Sequence, residues 1–384
     1  MRLGALTGVA LVIGWWVAGG SRADESDHGF AAVMKPWLER HSLAGAVVLM
    51  TDRDRTLVHE AAGLADLESG RKMAPDSLFW IASMTKPMTA AALLILVDEG
   101  RVRLDEPVAT YLPEFRDLWR VGETSADRML LVRQTRPITV RDLLRHGSGL
   151  PFHSEIEEPT LDRLSLDTRS RRYAAIPLLF EPGTGYQYSN AGFNTAGRII
   201  EVVAGMPYED FLAKRLFAPL GMNDTTFRPT PQQCDRLATS YARDDDRGTL
   251  VPVQISQLQY PLHSPDRQAM PGGGLFSSAA DCGRFCRMLL GEGASGPIRV
   301  LSAAAVREMR SRQTPAGVQD AYGLGCQLHD DGTYGHGGAF ATDFTIDDSG
   351  GRAVVWLVQD AAVRKTSASC RDDVRRWLDG RHSR

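Results

Sequence analysis

Ser83-Met84-Thr85-Lys86 decides how this chain is read, because of what stands on either side of it. Leu78-Phe79-Trp80-Ile81-Ala82 before it reads as a buried approach. Ala90-Ala91-Ala92-Leu93-Leu94-Ile95-Leu96-Val97 after it reads as a helix that Gly100 ends. Pro87 falls in the first turn, where a missing backbone donor costs little. Ser83 is thus expected at a helix N-terminus, where free amides and the dipole favour negative charge. Lys86 shares its face about one turn on, within reach of the hydroxyl. A serine is a poor nucleophile until a base sits beside it, and a lysine so placed is a candidate base. Alone the pattern is weak, since a helix cap followed by a solvated lysine is written the same way.

The 384 residues, 43% hydrophobic and 24% charged, describe an ordinary globular chain with enough apolar material for a large core. A net charge of −3 leaves no electrostatic footprint for nucleic acid, so none is expected as a partner. Asp244-Asp245-Asp246, flanked by Arg243 and Arg247, reads as a solvated turn. Arg2, the apolar run Leu3 to Val17, and Ser21 and Ala23 resemble a secretory signal peptide over 1–23, with the mature chain from about Asp24. The rival reading is an uncleaved N-terminal membrane anchor. Either way the folded part is expected outside the cytosol, periplasmic or secreted. The five cysteines leave at least one unpaired within the chain, and their connectivity cannot be read from spacing. Cys282 and Cys286 have helical spacing and are expected on one packed face. No paired C-x-x-C or H-E-x-x-H pattern points to zinc.

Two strand-like runs near the front, 45–50 and 56–62, are joined by the polar Asp52-Arg53-Asp54-Arg55, a hairpin. Three more lie near the end, 322–328, 339–346 and 353–358, before a last helix from Ser367 to Leu378. Thr139-Val140-Arg141-Asp142 has the form of a capping box. Strands at both ends with helices between imply an α+β fold with one antiparallel sheet built from both ends of the chain. One lobe would then take roughly 24–75 and 311–384, and an inserted, mainly helical lobe roughly 76–310, with the site in the cleft between them.

Two further motifs fall in order behind the first. Tyr188-Ser189-Asn190 follows a turn-rich stretch. A tyrosine beside a lysine gives up its proton more readily, so Tyr188 is a candidate base, and Asn190 is suited to hold a substrate carbonyl and orient Lys86. Alone, Tyr188 is equally a half-buried loop aromatic, with Tyr186 as good a choice. His336-Gly337-Gly338-Ala339 leads into an expected strand, where an amide just inside it, with that of Ser83, suits an oxyanion.

Together, S-x-x-K, Y-x-N and (K/H)-x-G resemble the serine β-lactamase and penicillin-binding-protein superfamily, in its class C β-lactamase-like branch. That branch holds β-lactamase-fold carboxylesterases, D-aminopeptidases and D,D-carboxypeptidases. Further matches are Leu143 to Leu150, Pro271 to Ser278 and Tyr322 to Gly325. The resemblance implies a β-lactamase/transpeptidase-like fold, with a five-stranded antiparallel sheet flanked by helices and Ser83 in the cleft. It implies a Ser83 acyl-enzyme, Lys86 and Tyr188 shuttling the proton, and an oxyanion hole of the Ser83 and Ala339 amides. The substrates implied are small esters, amides or β-lactams, and the implied chemistry requires no cofactor or metal.

The third motif departs from its usual lysine. His336 is mostly neutral at pH 7, which weakens an anchor for a substrate carboxylate and favours ester or amide hydrolysis over efficient β-lactam turnover. D,D-peptidase or weak β-lactamase activity on peptidoglycan-type or β-lactam substrates is the alternative, and a non-catalytic cell-wall binding or sensor protein another. Glu155-Ile156-Glu157-Glu158 does not sit in an E-x-x-L-N setting and reads as a solvated loop. Ser148, without the G-x-S-x-G spacing, reads as structural.

Overall fold

Asp52 Oδ1 accepts from the amides of Asp54 and Arg55, at 2.8 and 2.7 Å, and so turns the chain back on itself. This is the hairpin expected between the first two strands. The computed structural model describes residues 29–244, 246–361 and 364–382. The expected leader over 1–23, the cleavage point near Asp24, and Asp245 of the acidic turn lie outside the described residues.

The main sheet comprises β1 (Gly45–Asp52), β2 (Thr56–Asp66), β3 (Arg71–Lys72), β4 (Gln327–Leu328), β5 (Tyr334–Gly337), β6 (Asp343–Asp347) and β7 (Arg352–Leu357). Its order is β4-β5-β6-β7-β1-β2-β3, every neighbouring pair antiparallel. The helices that position the site are α1 (Phe30–Glu39), α2 (Thr85–Asp98), α3 (Val140–Leu144), α4 (Asn190–Ala204), α5 (Ala279–Leu290) and α6 (Arg364–His382).

The sheet has seven strands, not the expected five. β3 is a two-residue edge strand with no pattern to announce it. β5 falls in Tyr334-Gly335-His336-Gly337, whose last two residues were expected to lead into a strand rather than to form one. That segment lacks β-branched residues, and pairing with β6 rather than propensity makes it a strand. Conversely, 339–342 is a turn, and the strand expected from Ala339 starts at Asp343. Of the expected run 322–328, only Gln327–Leu328 is extended in the sheet.

β1 is buried on both faces, and its alternation sorts the core into two layers. Ala46, Val48 and Met50 pack with Phe30 and Met34 of α1 and with Val374 and Leu378 of α6. Val47 and Leu49 face the other way, onto Cys282, Phe285 and Cys286 of α5. The two cysteines do share a packed face, and all five cysteines are free thiols. Although α5 lies within 76–310, it packs on the sheet, because its apolar positions recur at helical spacing against β1 and β6. Among the described residues no helix is long and apolar enough to cross a membrane.

α2 is buried from Thr85 to Leu96, and Gly100 with φ +71° follows its end. A helix apolar all round has to be enclosed, and α4 with the sheet-side core encloses it. α3 starts at the expected capping box, in which Asp142 N–H reaches Thr139 Oγ1 and Thr139 N–H reaches Asp142 Oδ2. α4 is capped by Ser189 Oγ, which accepts from Gly192 N–H at 2.9 Å.

The α5-to-sheet contact is tested at Phe285, whose ring stands 6.1 Å from that of Phe344. Phe285→Ala should cost about 3–5 kcal/mol in urea unfolding. A loss below about 1 kcal/mol would show that the layer does not rest on this contact.

Candidate active site

Ser83 sits in a one-turn 3₁₀ segment, Ala82–Met84, that runs into α2. Ala82 before it has φ +45°, a left-handed conformation that costs an L-residue roughly 1–2 kcal/mol. The surroundings enforce it. Thr85 Oγ1 donates to Ala82 O at 2.6 Å, Ile81 N–H to Leu275 O at 3.0 Å, and Trp80 Nε1–H to Gly273 O at 2.8 Å. The approach to Ser83 is therefore pinned to the Pro271–Leu275 loop, and Ser83 itself is half-buried.

Lys86 has no exposed surface. Its Nζ lies 3.1 Å from Ser83 Oγ, 2.8 Å from Asn190 Oδ1 and 2.5 Å from Gly272 O. None of these partners is ionised, so burial holds the amine's pKa well below 10.5. The Tyr188 ring stands 4.5 Å from Nζ and that of Phe193 5.7 Å. Tyr188, rather than Tyr186, is the tyrosine placed over the lysine. The arrangement needs glycine at 272, where a Cβ would lie 2.7 Å from Asn190 Oδ1.

The third motif forms the cleft's other wall. Gly338 passes so close to the approach segment that a Cβ there would lie 2.6 Å from Ile81 O. Its N–H donates to Thr342 O at 2.7 Å and closes a turn. Ala339 is exposed within that turn, a correction to its expected place just inside a strand; Thr342 is drawn inward by its own bond to Ile81 O.

His336 is buried in β5. Its Nδ1 faces Gly337 O at 2.7 Å and its Nε2 faces the Tyr322 hydroxyl at 2.9 Å. A carbonyl only accepts, so Nδ1 carries the proton and Nε2 accepts from Tyr322. Burial above all lowers its pKa to about 3. The imidazole is held neutral near pH 7.

Ser83, Lys86, Tyr188, Asn190, His336 and Gly338 thus meet in one cleft. Sequence reasoning gave no role to Gly272 O, Phe193 or Tyr322. It also misread Glu157, which is buried and not part of a solvated loop. Glu157 Oε2 accepts from Ser154 N–H and Oγ, and Oε1 from the Tyr173 hydroxyl at 2.6 Å. Asn194 bonds that hydroxyl and, through Oδ1, the Gly272 N–H at 3.1 Å, so the buried carboxylate braces the loop that faces Lys86. The signal was present as Ser154-x-x-Glu157, a capping box. Ser148 is structural, its Oγ accepting from Leu150 N–H. Among the described residues no group of His, Cys, Asp and Glu is placed to hold a metal ion.

A β-lactamase/transpeptidase-like fold with a serine and a buried lysine in its cleft defines a class of serine hydrolases. The chain belongs to the Beta-lactamase family, whose model matches residues 30–375. It is 31% identical over 350 residues to Protein Rv1367c of Mycobacterium tuberculosis, covering 83% of this chain and 86% of that one. It is 34% identical over 278 residues to Esterase EstB of Burkholderia gladioli, covering 65% and 66%. Among solved structures it superposes on EstCE1, described as a hydrolase with promiscuous acyltransferase activity, with a TM-score of 0.75 at 24% identity, over 89% of this chain and 96% of that one.

A histidine kept neutral in the fold binds its proton only when unfolded, so its burial weakens the protein as pH falls below 6.5, down to about 3. Between pH 6.5 and 4.5, wild type should lose roughly 2 kcal/mol more unfolding free energy than His336→Gln. Equal losses in urea titrations would mean that His336 takes up a proton in the folded state.

Proposed function

We propose that this protein is a serine hydrolase of small carboxylic esters and related amides, working through an acyl-enzyme on Ser83. The observation that carries the reading is the trio of contacts at Lys86 Nζ. A neutral amine has two N–H bonds and one lone pair. With Asn190 Oδ1 and Gly272 O taking the hydrogens, the lone pair is left for the Ser83 hydroxyl.

On this reading Ser83 Oγ attacks the substrate carbonyl as its proton passes to Lys86 Nζ. The carbonyl oxygen becomes an oxyanion held by the backbone amides of Ser83 and Ala339. As the tetrahedral intermediate collapses, the proton moves through Tyr188 to the leaving oxygen or nitrogen. Water then attacks the ester on Ser83, and the same groups return the proton to Oγ. Asn190 orients Lys86 throughout.

The choice of esters rests on His336. A buried, neutral imidazole supplies no cation for the carboxylate that β-lactams and D-Ala-D-Ala peptides carry. The esterase relative supports the same choice. The N-terminal residues 1–23 support an exported protein, periplasmic or secreted, with a membrane anchor as the alternative.

A fluorophosphonate should add one label to wild type, found on Ser83 by mass spectrometry, and none to Ser83→Ala. In a panel of short-chain p-nitrophenyl esters, nitrocefin and a D-Ala-D-Ala peptide, the esters should give a kcat/KM at least ~100-fold above the others. Fast turnover of nitrocefin or the peptide would instead make it a β-lactamase or D,D-peptidase. Absence of any labelling would leave a binding protein.

A further inference from the structure

Tyr188 stands in an irregular segment, 186–189, so no ladder or helix fixes its ring. The peptide N–H groups of its two neighbours nevertheless have partners, and both partner atoms belong to one residue outside the three motifs. Gln187 N–H donates to the carbonyl of His146 at 2.9 Å. Ser189 N–H donates to Nδ1 of the same residue at 3.0 Å. The imidazole also packs against the Tyr188 ring, with centroids 4.5 Å apart and planes tilted by 37°. We propose that His146 is a positioning residue for the reaction, a clamp that grips the backbone on both sides of Tyr188 and sets the phenol's aim toward Lys86. The proposal rests on the reading of Tyr188 as part of the proton relay.

Three features argue against a residue kept only for packing. His146 is wholly buried yet has φ +62°, a backbone strain that persists only where the surroundings over-determine it. It follows α3 after one residue, Arg145, which with Arg136 grips Asp142, so the clamp is mounted on a braced helix end. Its ring chemistry points the same way. Because Nδ1 accepts from Ser189, Nε2 carries the proton, and that N–H is buried with no hydrogen-bond partner among the described residues. An apolar side chain would fill the same space without leaving a donor unpaired. The acceptor at Nδ1 is what the histidine adds.

The same ring ties the second motif to the third. Tyr322 packs against His146 at 4.6 Å and donates its hydroxyl to His336 Nε2. The clamp needs His146 neutral, since an imidazolium has no acceptor. Burial, with Lys86 and His336 nearby, pushes its pKa well below 6.5.

The test compares His146→Leu and His146→Asn in wild-type and Tyr188→Phe backgrounds on p-nitrophenyl butyrate. Asparagine offers Oδ1 in the place of Nδ1 and tolerates positive φ. His146→Leu should lower kcat by ~100-fold with KM changed less than ~3-fold, as expected for a misaimed group, and His146→Asn should recover at least ~10-fold of that. In the Tyr188→Phe background His146→Leu should cost less than ~3-fold. An equal cost in both backgrounds, or a leucine variant within ~3-fold of wild type, overturns the proposal. ¹⁵N signals of labelled histidine in the unmutated protein report the clamp without depending on any variant's folding. His146 should appear at pH 7 as the Nε2–H tautomer with Nδ1 hydrogen-bonded, and an Nδ1–H tautomer or an imidazolium overturns the clamp. Inactivity of wild type on every ester would sink the hydrolase reading instead, while these signals still decide the clamp.

Discussion

An amine with no exposed surface is tolerated only if it is neutral or its charge is met by opposite charge. At Lys86 the groups in contact are two amide oxygens and a hydroxyl, all uncharged. The fold therefore stabilises the free base, and the rest of the cleft follows from keeping it so. Three separate segments must converge on one nitrogen: the 3₁₀ turn that leads into α2, the first residue of α4, and the loop at Gly272. None of them supplies a carboxylate at that point. The nearby buried carboxylate, Glu157, reaches the site only through Tyr173, Asn194 and the Gly272 amide.

Such convergence needs rigid supports. α2 is enclosed on every side, so its N-terminus cannot shift without disturbing the core. Ala82 is forced into a left-handed turn, which swings Ser83 to the edge of the cleft while its neighbours stay buried. α4 is fixed by the Ser189 cap, so Asn190 enters the site from a helix end rather than a free loop. The third wall is a strand of the main sheet, with Gly338 and Thr342 packed on the Ile81 carbonyl. The sheet and the helices thus meet at Ser83.

Much of this was legible in the chain, for identifiable reasons. The S-x-x-K helix is long and uniformly apolar, and Thr139-x-x-Asp142 carries its own capping chemistry, so local sequence determines both. β5 was not legible, because Tyr334-Gly335-His336-Gly337 is a strand only by virtue of its neighbour β6. Gly272 was quoted as part of a motif, but its carbonyl acts through backbone geometry that no side chain announces. Glu157 was misread because its charge suggests solvent, whereas its partners Tyr173 and Asn194 come from distant parts of the chain. The state of His336 was half legible: residue type suggested a neutral ring, and its burial against the Tyr322 hydroxyl, which no sequence pattern announces, favours the same.

The neutral lysine is the claim on which the reading of the site turns, and it can be observed directly. In protein labelled with ¹³C and ¹⁵N at lysine, with the Lys86 signal assigned by its loss in Lys86→Arg, a pH titration follows the side-chain Cε and Nζ shifts. The account predicts that Lys86 loses its proton well below 10.5, apart from the exposed lysines, and is a free amine at the pH where ester turnover is fastest. A Lys86 that titrates with the exposed lysines, and is an ammonium at that pH, would contradict it.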